Sequence, residues 1–229
     1  MINRLKWLGV GLTLFGFVFV IGAGYAYLKV QEGQTSLTAF SAAQNVKLSY
    51  NDQGQLVDRN DPAQAQAIMD LLTKDWAYPV NMAEFNPNDP LVNTGSEYMY
   101  QMATVSFHVL HGHYDITLAE DYTAADGTVY TAGTPIPFDV DGRYYSEFDR
   151  SDPVQAAARG LAWTPTALAL VGTLGTGAST ASTLQMGIGL AGLFAGVGGT
   201  FILFGLGLVW ATRPETVRVP ALKPAPVPA

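Results

Sequence analysis

No charged side chain occurs in residues 7–28 or in residues 160–212, and two such runs restrict the fold more than any other feature of the chain. Backbone N–H and C=O groups cannot stay unpaired in hydrocarbon, so an apolar run that enters a bilayer crosses it as a helix. A crossing takes about 20 residues. The first run has that length, and the second contains its most apolar part in residues 186–211. The expected fold is an α+β extracytoplasmic domain between two transmembrane α-helices. Its expected divisions are a cytoplasmic N-terminus at 1–6, a first span at 7–28 and an acidic domain at 29–160. A small-residue lead-in at 161–183, a Gly-rich second span at 184–211 and a Pro-rich cytoplasmic tail at 212–229 follow.

Charge orients the two spans. Residues 29–159 carry 18 Asp and Glu against 7 Lys and Arg, a net charge of −11. The ends are basic, with Arg4 and Lys6 before the first span and Arg213, Arg218 and Lys223 after the second, opposed only by Glu215. Lys and Arg close to the spans collect on the cytoplasmic side. Both termini are therefore expected in the cytoplasm and the middle domain outside it, in the cell membrane. An acidic domain lacks the basic footprint that nucleic acid requires, so no nucleic-acid partner is expected.

Two other arrangements compete with this one. Gly24 and Ala26 could serve a signal-peptide cleavage site, but the apolar run exceeds the about 7 to 15 residues of a cleaved leader, which favours an anchor. Residues 161–174 could form a third span and place the C-terminus outside. Their short length, Pro165 and Gly172 favour a helix on the membrane or one leading into the last span. The chain has no cysteine, which excludes disulfides and thiolate metal sites.

Within the middle domain, residues 34–43 are small and polar, as in a stalk. Apolar residues flank Asn51-Asp52-Gln53-Gly54 in the manner of a β-hairpin. Asp61-Pro62 starts a helix that runs to about Trp76, with Ala65, Ile68, Leu72 and Trp76 on its buried face. Thr94 or Ser96 caps another helix, through His111, with Gly112 as its stop. Residues 116–148 alternate strand-like runs with Asp126-Gly127, Gly133 and Asp141-Gly142 turns, predicting an antiparallel sheet of three or four strands. Asp152-Pro153 repeats the Asp61-Pro62 device, which reads as one capping solution used twice rather than as a duplication. The four prolines of residues 217–229 predict an extended tail.

Two groups of residues are candidate sites. Gly189, Gly192, Gly196 and Gly199 lie on one face of the second span, and Gly192 with Gly196 forms the GxxxG spacing that lets membrane helices approach closely. Gly9, Thr13, Gly16 and Ala23 form a comparable stripe in the first span. All three histidines of the chain fall within six residues, as His108, His111 and His113, with Asp115 beside them. A turn at Gly112 could fold them into a zinc or copper site; polar residues at a helix end, suited to its dipole, are the competing reading. Glu120-Asp121 and Asp139-Asp141 lack the register of a calcium loop and read as solvated charge. No phosphate-binding or nucleophile motif is present, and the one GxGxxG match, at Gly187, lies inside the second span.

The passage from Asp152-Pro153 through the Ala/Thr/Ser-rich residues 164–183 into the Gly-rich last span resembles a group of two-span membrane proteins of actinobacteria. The likeness covers roughly a third of the chain. It implies a bacterial membrane protein and no particular activity; the ring-opening dioxygenase label that some of that group carry is not transferred. The expected function is a non-enzymatic accessory or structural subunit of a membrane protein complex. Its partners would be the lipid bilayer and other membrane subunits, and it would need no cofactor. The alternative is an extracytoplasmic zinc- or copper-binding protein using His108, His111 and His113.

Overall fold

A computed structural model of the chain describes residues 2–213. The Pro-rich tail expected at 217–229 lies outside the described residues. Two long apolar helices flank a small α+β region: α1 (Ile2–Gln44) at the beginning and α5 (Pro165–Ala211) at the end. Between them follow β1 (Ser49–Tyr50), β2 (Leu56–Val57), α2 (Pro62–Asp70), α3 (Gly95–Leu110), β3 (His113–Thr117), β4 (Tyr122–Thr123), β5 (Val129–Tyr130), β6 (Pro135–Asp139) and α4 (Pro153–Ala162). The chain divides into two compact units, one of residues 31–185 and one joining residues up to 30 with those from 186 onward.

The helix-pair unit contains the apolar ends of α1 and α5. Buried positions of α1 here are Gly9, Gly16, Ala23 and Val30, each seven residues from the last. A seven-residue repeat keeps one seam of a helix against its partner. The facing seam of α5 is Ala191, Gly198 and Gly205, again at steps of seven and all buried. A Cβ built on Gly16 would lie 2.6 Å from the Gly198 carbonyl oxygen, and one on Gly9 would lie 2.6 Å from that of Gly205. The helices are thus antiparallel and nearly touch at the backbone, an approach that only glycine permits there. Phe19 adds edge-on contacts with Phe194 and Phe201, ring centroids 5.7 and 6.3 Å apart.

The rest of this surface is not covered by the described residues. Trp7, Val18 and Ile21 on α1 and Leu203, Phe204 and Trp210 on α5 are each at least 64% exposed. A helix from the core of a water-soluble protein would bury such side chains. Both helices are long and apolar enough to cross a membrane.

The other unit has one hydrophobic core, built mainly between α2, α3, α4 and the parts of α1 and α5 that belong to it. Ile68 and Leu72, Ala103, Ile116, Val140 and Ala158 are fully buried, with Leu37 of α1 and Leu174, Ala178 and Ala181 of α5 in the same cluster. Residues 34–43 are therefore helical rather than an irregular stalk. Leu37 enters the core, and the buried Ser41 hydroxyl hydrogen-bonds that of Tyr98 at 2.7 Å. Residues 165–174 continue without a break into α5, so no helical hairpin forms there.

The capping chemistry holds the helices where the side chains announce them. Asp61 Oδ1 accepts from the Ala63 N–H at 2.8 Å and Asp152 Oδ1 from that of Val154 at 2.9 Å, each followed by proline in the first turn. After α2 the helix widens by one π-type turn over Leu71–Asp75, which ends at Trp76. Thr94 and Glu97 form a reciprocal capping box at the start of α3.

The sheet is smaller than expected. In place of three or four joined strands, β3 pairs only with β6, and β4 with β5 forms a separate ribbon in the intervening loop. Ile116 pairs with Ile136 and Tyr114 with Phe138 on the core face. Pro135 and Pro137 occupy the opposite, exposed face of β6 and supply no N–H for another strand, so the ladder stops at two.

Candidate functional site

The three histidines follow three different local rules, and the structure does not gather them. His108 lies in the last turn of α3, with Nε2 3.0 Å from Asp58 Oδ2. Asp58 is held by a tight two-residue turn: Arg59 and Asn60 both have positive φ, at 50° and 67°, and the Asp61 N–H bonds the Asp58 carbonyl at 2.8 Å. Asp58 Oδ2 is buried and no described residue bonds it in hydrogen-bond geometry, so its contact with His108 is one of proximity. His111, the C-terminal cap of α3, donates from Nδ1 to the Phe107 carbonyl at 2.9 Å and lies against the Phe107 ring.

Gly112 then passes the chain into β3 instead of folding it back. His113 therefore emerges on the outer face of a strand, opposite Asp139 of β6. Its Nδ1 is 2.7 Å from Asp139 Oδ1, and this hydrogen bond, helped by the charges of Asp139 and Asp115, holds its pKa above the ordinary histidine value. Asp115 shares that outer face and does not reach His108 or His111. Among the described residues no three His, Asp or Glu side chains form a group that could hold a metal ion.

Most of the deeper polar chemistry lies at the start of α3. Glu97 is 1% exposed, yet its Oε2 accepts from the Asn93 N–H, the Thr94 N–H and the Thr94 hydroxyl, all at 2.9 to 3.0 Å. Burial outweighs these bonds and raises its pKa. Glu84 reaches the same helix end, accepting from the Ser96 N–H at 2.8 Å, and also accepts from Gln185 of α5 at 3.0 Å. Burial opposes ionisation of Glu84, but its hydrogen bonds to Ser96, Gln185 and Thr94 together bring the pKa below the usual value. Glu97 thus ties the preceding loop to the helix end, and Glu84 ties that helix end to α5. Their role is to fix α3, which positions His108 and Tyr100.

The glycines of α5 divide between two faces. Gly198 and Gly205 form the contact with α1, where Gly9, Thr13, Gly16 and Ala23 of the first span lie as their stripe suggests. Gly189, Gly192, Gly196 and Gly199 point elsewhere: a Cβ on any of them would meet no atom of the described residues within 4 Å. The contact between α1 and α5 thus uses other glycines of α5, Gly198 and Gly205. The signal for Gly198 and Gly205 was their seven-residue spacing, equal to that of Gly9 and Gly16. Beside the open glycines, Leu193, Gly196, Val197, Thr200 and Phe201 line a shallow depression of about 380 Å³.

Comparison of the chain with protein-family models, with curated proteins and with solved structures finds no match in any of the three.

Proposed function

We propose that this chain is a non-enzymatic accessory or structural subunit of a membrane protein complex. Both apolar helices cross the bilayer, both termini are cytoplasmic, and the acidic α+β unit is presented outside for interaction. The observation that carries the reading is the division of glycines on α5. One glycine face is used up by α1, while the face of Gly189, Gly192, Gly196 and Gly199 is small, apolar and open. Lipid chains gain nothing from such a face that they would not gain from leucine, whereas a second protein helix gains close packing. The basic ends and the net charge of −11 between the spans support the orientation.

Extraction in mild detergent, followed by mass spectrometry of co-purifying subunits, tests this. The unaltered chain should bring down a membrane partner in fixed proportion. Gly192→Leu with Gly196→Leu should lose it while the circular dichroism of the outer unit stays the same. An unchanged set of co-purifying proteins in the double variant would remove the glycine face from the argument. The zinc- or copper-binding alternative predicts about one equivalent of metal in protein purified without a histidine tag, and its loss in His108→Ala with His111→Ala. The divergent placement of the three side chains favours the first reading.

A further inference from the structure

Side chains of α3 and α5, of the end of α4, of the turn after α2 and of residues 144–146 converge on a cavity of about 390 Å³, within the range of small-molecule sites. Ser106 of α3 is only 2% exposed, and the surface it keeps lines this cavity. A serine hydroxyl inside a helix ordinarily bonds the carbonyl four residues back, as the Thr104 hydroxyl does to that of Tyr100 at 3.0 Å. The Ser106 hydroxyl has no hydrogen-bond partner among the described residues, yet its oxygen is not sealed off from the cavity as a fully enclosed atom would be. A buried polar group faces this space and awaits a partner.

The walls specify that partner. Half of the lining residues are aromatic: Trp76, Tyr144, Tyr145 and Trp163. Three of these rings are tied to one another. Trp76 Nε1 donates to the Tyr144 hydroxyl at 2.7 Å, and the Tyr144 ring stacks on that of Trp163 with centroids 6.2 Å apart. Trp163 Nε1 in turn donates to the Arg143 carbonyl at 3.2 Å. Rings held in this way lose little freedom when a ligand arrives. Two uncommon backbone features aim Trp76, the π-type turn over Leu71–Asp75 and Ala77 at a φ of 49°; such turns recur at functional sites. No lining side chain carries a charge or an amide. An ion would give up its hydration without compensation, and a cation would also meet the Arg159 guanidinium, which lies 4.7 Å from the centre of the Tyr145 ring. A sugar would find no carboxylate or amide to receive its paired hydroxyls. A flat aromatic body gains contact with the rings beyond its burial, and a single polar group on it answers Ser106.

We infer that this cavity is a binding site for a neutral, planar aromatic molecule with one hydroxyl-like group, its ring system received by Trp76, Tyr144 and Trp163 and its polar group by Ser106. The site shares no residue with the histidines or the helix-pair glycines, and it does not depend on the proposed subunit role.

Three bicyclic probes test the inference on the full-length chain in lipid nanodiscs: 2-naphthol, its saturated counterpart 2-decalol, and 2-naphthoate, measured by equilibrium dialysis with empty nanodiscs as the lipid blank. 2-Naphthol should bind saturably and about fivefold more tightly than 2-decalol, the gain that ring–ring contacts give beyond burial, with 2-naphthoate weakest. Ser106→Ala should weaken 2-naphthol binding about fivefold through the loss of one hydrogen bond. Trp76→Ala should weaken it about tenfold through the loss of one wall, with far-ultraviolet circular dichroism and a cooperative thermal transition confirming that both variants are folded. Equal affinity for 2-naphthol and 2-decalol would overturn the inference. So would 2-naphthoate binding as tightly as 2-naphthol, an affinity for 2-naphthol unchanged by Ser106→Ala, or no saturable binding of 2-naphthol at all.

Discussion

His113 and Asp139 show how a single contact can be separated from the cluster it sits in by sequence. The hydrogen bond that His113 donates to Asp139 favours the protonated imidazole, so the midpoint of His113 should lie above the about 6.5 of a free histidine. A raised folded value means that any stabilisation is present in full below the unfolded midpoint and disappears as pH rises through the folded one. Both side chains are well exposed, at 60% and 78%, so the effect on stability is screened and small. NMR titration of the imidazole should show the raised midpoint, and Asp139→Asn should return it to the ordinary range; an unchanged midpoint would mean that Asp139 is not its cause. The caps offer a second residue-scale expectation. Asp61→Ala and Asp152→Ala each remove an acceptor from a first-turn N–H and should cost about 1 kcal/mol in denaturant unfolding. A loss below about 0.3 kcal/mol would show that the proline in the first turn suffices. These caps were legible because Asp-Pro acts on its own neighbours. The burial of Glu97 was not, since a capping-box glutamate is ordinarily solvated and only the packing of α3 into the core removes this one from water.

At the scale of the element, the helix pair is governed by a period rather than by glycine content. Four glycines at 189, 192, 196 and 199 make the denser local pattern. The seam is set instead by the match between two helices: Gly9 and Gly16 on one, Gly198 and Gly205 on the other, each pair seven apart. A phase shared between distant segments is invisible to any window placed on one of them. The same register brings Ala23 level with Ala191, and both are buried. Because the chain has no native cysteine, Ala23→Cys with Ala191→Cys should cross-link efficiently under mild oxidation. Adding Gly16→Leu should suppress that cross-link, because its side chain would start 2.6 Å from a backbone oxygen. Gly192→Leu should leave it intact. Equal cross-linking in both backgrounds would contradict the antiparallel contact. The sheet illustrates the same limit. Turn signals placed strands within residues 116–148, while their division into two separate ladders is decided by pairing between segments and is not written in any one of them.

The charge asymmetry acts on the whole molecule. Helix length and apolarity establish that α1 and α5 can cross a bilayer, but either orientation would satisfy the hydrophobic effect alike. The choice falls to Arg4 and Lys6 at one end, Arg213 at the other, and the net −11 that lies between. Moving the ends outward would carry Lys and Arg across against the membrane potential and against the insertion preference for basic flanks. The absence of cysteine makes the question directly measurable with single thiols. Asp126 is exposed in the β4–β5 turn and Asn3 is exposed near the start of α1, so neither substitution should disturb a core. In intact cells, a membrane-impermeant maleimide should label Asp126→Cys at once and Asn3→Cys only after permeabilisation. Labelling of Asn3→Cys from outside, with Asp126→Cys protected, would reverse the topology. It would also place the acidic unit in the cytoplasm and end the proposal that it is presented to partners beyond the membrane.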